Sequence, residues 1–212
     1  LMPGVQHMRH THLPEHKFVK GQPETGVELA EDLERIAMNF GGENIAACIV
    51  EPIAGSTGTL VPPKGYLKRL REICDKHGIL LIFDEVITGW GRTGSAFAAQ
   101  EWGVTPDIMT MAKATTNGVV PMGVVAVKEE MYDTVLDASK NPEGTPELFH
   151  GYTYSGIPVA VAAALAVQDI FDKEDIFNRA KEMSPYFQDG LHSLKDLKEV
   201  VSIRGYGMMG GI

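Results

Sequence analysis

The sequence predicts an α/β protein, a three-layer sandwich with a mostly parallel central sheet, on three observations. Two unbroken apolar runs, residues 45–50 and 79–83, have the character of strands buried on both faces. An amphipathic stretch, residues 64–77, lies between them, so strand, helix and strand form a βαβ unit whose strands are parallel neighbours with a right-handed crossover. Each run ends on a carboxylate, Glu51 after the first and Asp84 after the second. Both acids then stand at the carboxyl ends of parallel strands, the edge at which open α/β sheets place ligands.

The elements follow from local signals. Residues 1–23 are rich in histidine and proline and lack periodicity, which predicts an irregular surface segment. His7, His10, His12 and His16 crowd together there, but their spacing suits neither a helix face nor a finger motif, and no metal site is expected. Val27, Leu29, Leu33, Ile36, Ala37 and Phe40 recur at helical spacing and predict a helix over 25–39, ended by Gly41-Gly42. Pro62-Pro63 leads into the helix of residues 64–77, with Leu67, Leu70, Ile73 and Cys74 on one face and Gly78 as its stop.

After Asp84 comes a glycine-punctuated loop around residues 89–94, then a short helix over 95–102. A further strand, residues 108–112, ends in Lys113; a tight turn follows at 116–118 and another strand at 123–127. A helix to about residue 138 and a polar loop over 139–146 come next. A long alanine- and valine-rich helix starts at Pro158 and ends near 171, with Ser155 read as its cap. A helix over 173–194, interrupted at Pro185, and strand-like pieces between 200 and 212 complete the chain.

Composition narrows the partners. The chain has 212 residues, a net charge of −9 and no basic run, which argues against nucleic acid or an anionic membrane surface. Its longest apolar stretches fall short of the ~20 residues of a membrane helix, and its first residues do not read as a signal peptide. Cys48 and Cys74, without C-x-x-C spacing, read as reduced, buried thiols of a cytoplasmic protein.

The chemistry lies between residues 78 and 113. A hydrophobic strand ending in Asp84-Glu85 also fits a nucleotide-hydrolysing site, but the phosphate cradle G-x-x-x-x-G-K-[ST] is missing from the sequence. Helix capping would explain Asp84 by itself, but not Asp84 together with Lys113. The pair fits pyridoxal phosphate: a carboxylate keeps the pyridine nitrogen protonated, and a lysine amine forms a Schiff base with the aldehyde.

Three stretches, ILLIFDEVITGWGRTG, TPDIMTMAKATTNGVVPMG and HGYTYSGIPVAVAAALA, resemble, in this order, the cofactor-binding core of class III aminotransferases. These are the omega-amino acid branch of the fold-type I pyridoxal phosphate enzymes, and the beta-alanine:pyruvate type is the most similar. The resemblance implies that Lys113 carries the cofactor, Asp84 faces its ring nitrogen, Val86 packs on the ring and Glu51 lies beside it. It further implies that Thr153 bonds the cofactor phosphate of a neighbouring subunit, so that a homodimer or higher oligomer shares its sites. Relatives that use glutamate as acceptor carry a second Glu five positions after Glu51; Ser56 stands there, which points to pyruvate. Trp90 keeps an apolar role usually filled by Phe, and Arg92 is read as a structural ion pair outside the site.

By the same resemblance the chain is a fragment lacking the N-terminal part, and inactive alone. Residues 24–196 would belong to the cofactor-binding large domain and 197–212 to the start of a small C-terminal domain. The implied activity moves an amino group from an omega-amino acid or amine, such as beta-alanine, to pyruvate or another keto acid. An aminomutase or decarboxylase of the same fold, and a non-catalytic relative or assembly partner, are the alternatives.

Overall fold

The fold, taken from a computed structural model, is described for residues 3–139 and 150–212. Four strands form one sheet in chain order: β1 (Ala47–Val50), β2 (Leu80–Asp84), β3 (Ile108–Met111) and β4 (Val124–Val127). β1, β2 and β3 run parallel, while β4 is antiparallel to β3. The expected βαβ unit is β1, α2 (Tyr66–His77) and β2.

Register decides which side chains share a face, since partners on neighbouring strands point the same way. Phe83 pairs with Met109 and Val50; Asp84 pairs with Thr110, which pairs with Val125. The Phe83 face is covered by α1 (Glu31–Phe40) and α2, whose Leu33, Ala37, Leu67, Leu70, Ile73 and Cys74 pack with Cys48, Leu81 and Phe83 in one core. Each such aliphatic or aromatic side chain contributes about 1.5–3 kcal/mol on burial. The Asp84 face carries Ile49, 61% exposed, and Val125, 64% exposed. Apolar side chains on both faces of β1 explain why its sequence lacks alternation.

One carboxylate locks this arrangement. Asp107, buried just before β3, accepts from the Leu81 N–H (2.7 Å), Arg71 Nη1 of α2 (2.7 Å) and Lys128 Nζ beyond β4 (2.7 Å). Its own N–H donates to the Leu81 carbonyl at 2.8 Å. Burial alone would raise its pKa, but Lys128, the Leu81 N–H and Arg71 outweigh that and hold it at about 2.

The remaining elements are α3 (Ala98–Glu101), α4 (Glu129–Ser139), α5 (Pro158–Lys173), α6 (Ile176–His192) and a hairpin of β5 (Arg204–Tyr206) and β6 (Met209–Gly211). Cys48 and Cys74 are buried and unbridged. Among the described residues no helix is long and apolar enough to cross a membrane. Residues 3–23 are irregular apart from a 3-10 turn at Pro14–His16, yet they are tied down: Arg9 forks onto Asp32 of α1 at 2.8 and 2.9 Å, and the Lys17 carbonyl accepts from the Ile203 N–H at 2.7 Å.

Several boundaries differ from expectation. The helix expected over 25–39 is a 3-10 turn, Val27–Ala30, followed by α1, because Gly26 (φ 107°) breaks the chain direction there. The one expected over 95–102 shrinks to α3, since Phe97 is extended (φ −137°). Pro185 does not interrupt α6. Its side chain is exposed, while Gln188, one turn on, is buried and donates to the Gly207 and Met209 carbonyls at 2.9 Å each, holding the helix against the hairpin. From residue 140 the expected polar loop lies outside the described residues.

Candidate active site

Asp84 is the last residue of β2, half-buried, on the sheet face that α1 and α2 leave free. Its Oδ1 accepts the Val86 N–H at 3.1 Å. Its second oxygen takes no hydrogen bond among the described residues. Val86 is not on an extended segment as expected. The strand stops at Asp84 because Asp84 Oδ1 and the Glu85 carbonyl, which accepts the Gly89 N–H at 3.0 Å, fold residues 86–89 into turns.

Glu85 points the other way and is fully buried. Its carboxylate accepts the Thr88 hydroxyl (2.7 Å), the Ala98 N–H (2.9 Å) and the Ala99 N–H (2.8 Å). It thereby caps α3 and ties the whole 86–97 loop to the strand end. Burial pushes its pKa up, against the pull of those three donors. The sequence reading gave Glu85 no role. Strand alternation was the available signal, since the neighbour of an outward Asp84 has to point inward.

Lys113 lies three residues beyond Thr110, the register partner of Asp84. It opens a 3-10 turn, Lys113–Thr115, with φ of 42°. The Gly118 N–H donates to the Lys113 carbonyl at 3.1 Å. The Lys113 side chain is exposed, and among the described residues its Nζ makes no ion pair or hydrogen bond. Adjacent parallel strands thus deliver a carboxylate and an unpaired amine to one rim of the sheet.

Glu51 follows β1 at that rim, but its Oε2 accepts the Gly55 N–H at 2.9 Å and closes the 51–55 loop. It lines a cavity of about 1340 Å³ along the outer edge of β1 that includes neither Asp84 nor Lys113. Thr153 is exposed in the turn before α5. Ser155 does not cap α5. Its hydroxyl accepts the Tyr152 N–H at 2.9 Å, and the helix opens on Pro158 without a side-chain cap. Arg92 makes no ion pair among the described residues, contrary to expectation. Its carbonyl accepts the Met208 N–H at 2.8 Å, and the chain continues straight into the hairpin contact. Trp90 does more than fill space: its Nε1–H donates to Thr115 Oγ1 at 3.0 Å.

This donor set suits a particular guest. A half-buried carboxylate with one open oxygen accepts from a protonated ring nitrogen, and an unpaired primary amine condenses with an aldehyde.

A family model described as "Aminotransferase class-III" matches residues 2–212. The chain is 55% identical to an "Omega-aminotransferase" of Caulobacter vibrioides, covering 100% of this chain and 48% of that protein. It is 51% identical to a "Beta-alanine--pyruvate aminotransferase" of Pseudomonas aeruginosa, over 98% of this chain and 46% of that one. A solved structure of a thermostable omega transaminase six-fold mutant from Pseudomonas jessenii superposes with a TM-score of 0.88 at 35% identity, over 99% of this chain and 46% of the other. The chain spans about half the length of the curated relatives it matches.

Proposed function

The chain belongs to the class III aminotransferases, and from that premise we propose that it is the part of a pyridoxal phosphate-dependent transaminase that carries the cofactor lysine. The whole protein would move an amino group from an omega-amino acid or amine, such as beta-alanine, to pyruvate or another keto acid. The single observation behind this reading is that Asp84, with one open oxygen, ends β2, and Lys113, with an unpaired amine, follows the end of its parallel neighbour β3. The names of relatives at 49–55% identity support the same substrates.

When bound, pyridoxal phosphate supplies a cationic ring that draws electrons from a carbon losing its proton. Asp84, with one oxygen free of hydrogen bonds, would accept from the protonated ring nitrogen. Lys113 Nζ would hold the cofactor through its aldehyde and, when free, would serve as the base that takes a proton from the substrate carbon. Val86 would pack on the ring beside Asp84, and Glu51 shapes the neighbouring loop through the Gly55 N–H. Thr153 would bond the phosphate in a neighbouring subunit of a homodimer or higher oligomer. Exposed Tyr152, Tyr154, Val159 and Leu165 around it, between 59% and 80% exposed, are the apolar surface such a partner would cover. A cytoplasmic location fits these substrates, and residues 24–196 and 197–212 would divide between a large and a small domain.

The test uses the full-length protein. Reduction with borohydride after loading should fix the pyridoxyl group on the peptide containing Lys113. Lys113→Ala should lose that label together with alanine formation from beta-alanine and pyruvate. A label on another lysine, or turnover that survives the substitution, rejects the assignment.

A further inference from the structure

Lys113 at φ 42° and Trp90 at φ 62°, neither of them a glycine, adopt left-handed backbone conformations. Such conformations persist where the surroundings over-determine them, and here one short relay joins the two. Trp90 Nε1–H donates to Thr115 Oγ1 at 3.0 Å, and that hydroxyl donates to the Ala112 carbonyl at 2.9 Å. The Ala112 carbonyl also accepts the Thr115 N–H at 2.9 Å, so the turn that presents Lys113 is closed twice on the same atom.

The indole is itself fixed. It meets Phe97 edge-on with centroids 5.0 Å apart and stacks on Phe171 of α5 at 5.8 Å and 26°. The Trp90 backbone N–H donates to the Ala96 carbonyl at 2.6 Å, and Phe97 directly precedes the helix capped by Glu85. A continuous set of contacts therefore runs from the residue after Asp84 to the residue before Lys113.

We propose that Trp90 is a positioning residue for Lys113: its indole N–H, acting through the Thr115 hydroxyl on the Ala112 carbonyl, holds the Lys113 turn in its left-handed form. A phenylalanine at position 90 would keep the stacking and lose the donor. The consequence for catalysis rests on Lys113 being the cofactor lysine; the clasp on the backbone does not.

Amide hydrogen exchange at Thr115 and Gly118, whose N–H groups bond the Ala112 and Lys113 carbonyls, reads the turn directly in the cofactor-free full-length protein. Trp90→Phe should speed exchange at these two amides by about fivefold, the worth of one neutral hydrogen bond, and Thr115→Val, which removes both bonds of the relay, by at least as much. The double variant should be no faster than Thr115→Val alone, and Thr115→Ser should stay close to the parent. The rate at which added pyridoxal phosphate attaches to Lys113, followed by absorbance, should fall in step. Unchanged exchange in Thr115→Val, or effects that multiply in the double variant, overturns the proposal. Should the cofactor fail to attach even in the parent, the transaminase reading falls and the exchange comparison still decides the clasp.

Discussion

Replacing Asp107 with Asn tests whether one carboxylate holds the two central strands to helix α2. Asparagine keeps the shape and one acceptor oxygen but removes the charge. Arg71 would retain Asp75 at 2.7 Å, while Lys128 would lose the ion pair it makes with Asp107 at 2.7 Å. The Asp107 carboxyl sits at about 2 against an ordinary 3.8. Asp107 is 9% exposed, so little of that difference is lost to solvent screening. It corresponds to on the order of 2 kcal/mol of stability.

The sign follows from the direction. A carboxyl whose folded pKa is depressed contributes fully above its ordinary value, and the contribution fades as pH falls through the folded value. Asp107→Asn should therefore lower the unfolding free energy by on the order of 2 kcal/mol at neutral pH. Its deficit relative to the parent should begin to shrink below pH 3.8 and be largely gone near about 2. Urea unfolding followed by fluorescence of Trp90 and Trp102 measures both. A deficit as large in strong acid as at neutrality, or none at neutrality, would mean that the three donors around Asp107 contribute no net charge-dependent stability.

Two further substitutions bear on the supports of the site. Glu85→Gln turns an amide NH₂ toward backbone N–H groups at Ala98 or Ala99. With at least one buried donor orphaned, unfolding free energy should drop by about 3 kcal/mol, with faster amide exchange at those two positions; a loss below about 0.5 kcal/mol would show that the loop does not depend on this cap. Pro185→Ala should raise stability by about 1 kcal/mol or more, because it restores a helical N–H at an exposed position of α6, and a lower thermal midpoint would show that the ring packs usefully.

The parts of the molecule legible in the sequence are those fixed by neighbours in the chain. The run ending at Asp84 is uniformly apolar, the one before Lys113 is apolar but for Thr110, and both are bounded by acids, glycine or a lone cation, so both strands and their ends could be read. The order of strand, helix and strand then brought Glu51, Asp84 and Lys113 to one rim. What could not be read depends on individual side-chain-to-backbone hydrogen bonds, near or far in the chain, that leave no pattern in the sequence. Gln188 overrides Pro185 from a hairpin about twenty residues on. Ser155 turns back on Tyr152, where a helix cap was expected. Val86 leaves the strand direction because Asp84 bonds its N–H. The left-handed backbone of Lys113 has no local signature either, since lysine carries no preference for positive φ. It follows from Thr115 and, through it, from Trp90.

The division of labour between Asp84 and Glu85 follows from strand geometry. Successive side chains at the end of a strand point to opposite faces, so only one of two adjacent acids can reach a ligand at the rim. The other is driven into the core, where an uncompensated carboxylate is costly, and it persists there because Thr88, Ala98 and Ala99 supply three donors. Those donors come from the loop and helix that also carry Phe97 and, against it, Trp90. The buried acid, Glu85, therefore fixes the frame from which Lys113 is held. Exchanging the two acids' roles is not open to this chain: an Asp at position 85 is one methylene shorter and could not span the same three donors, while position 84 has only the Val86 N–H to offer a buried charge.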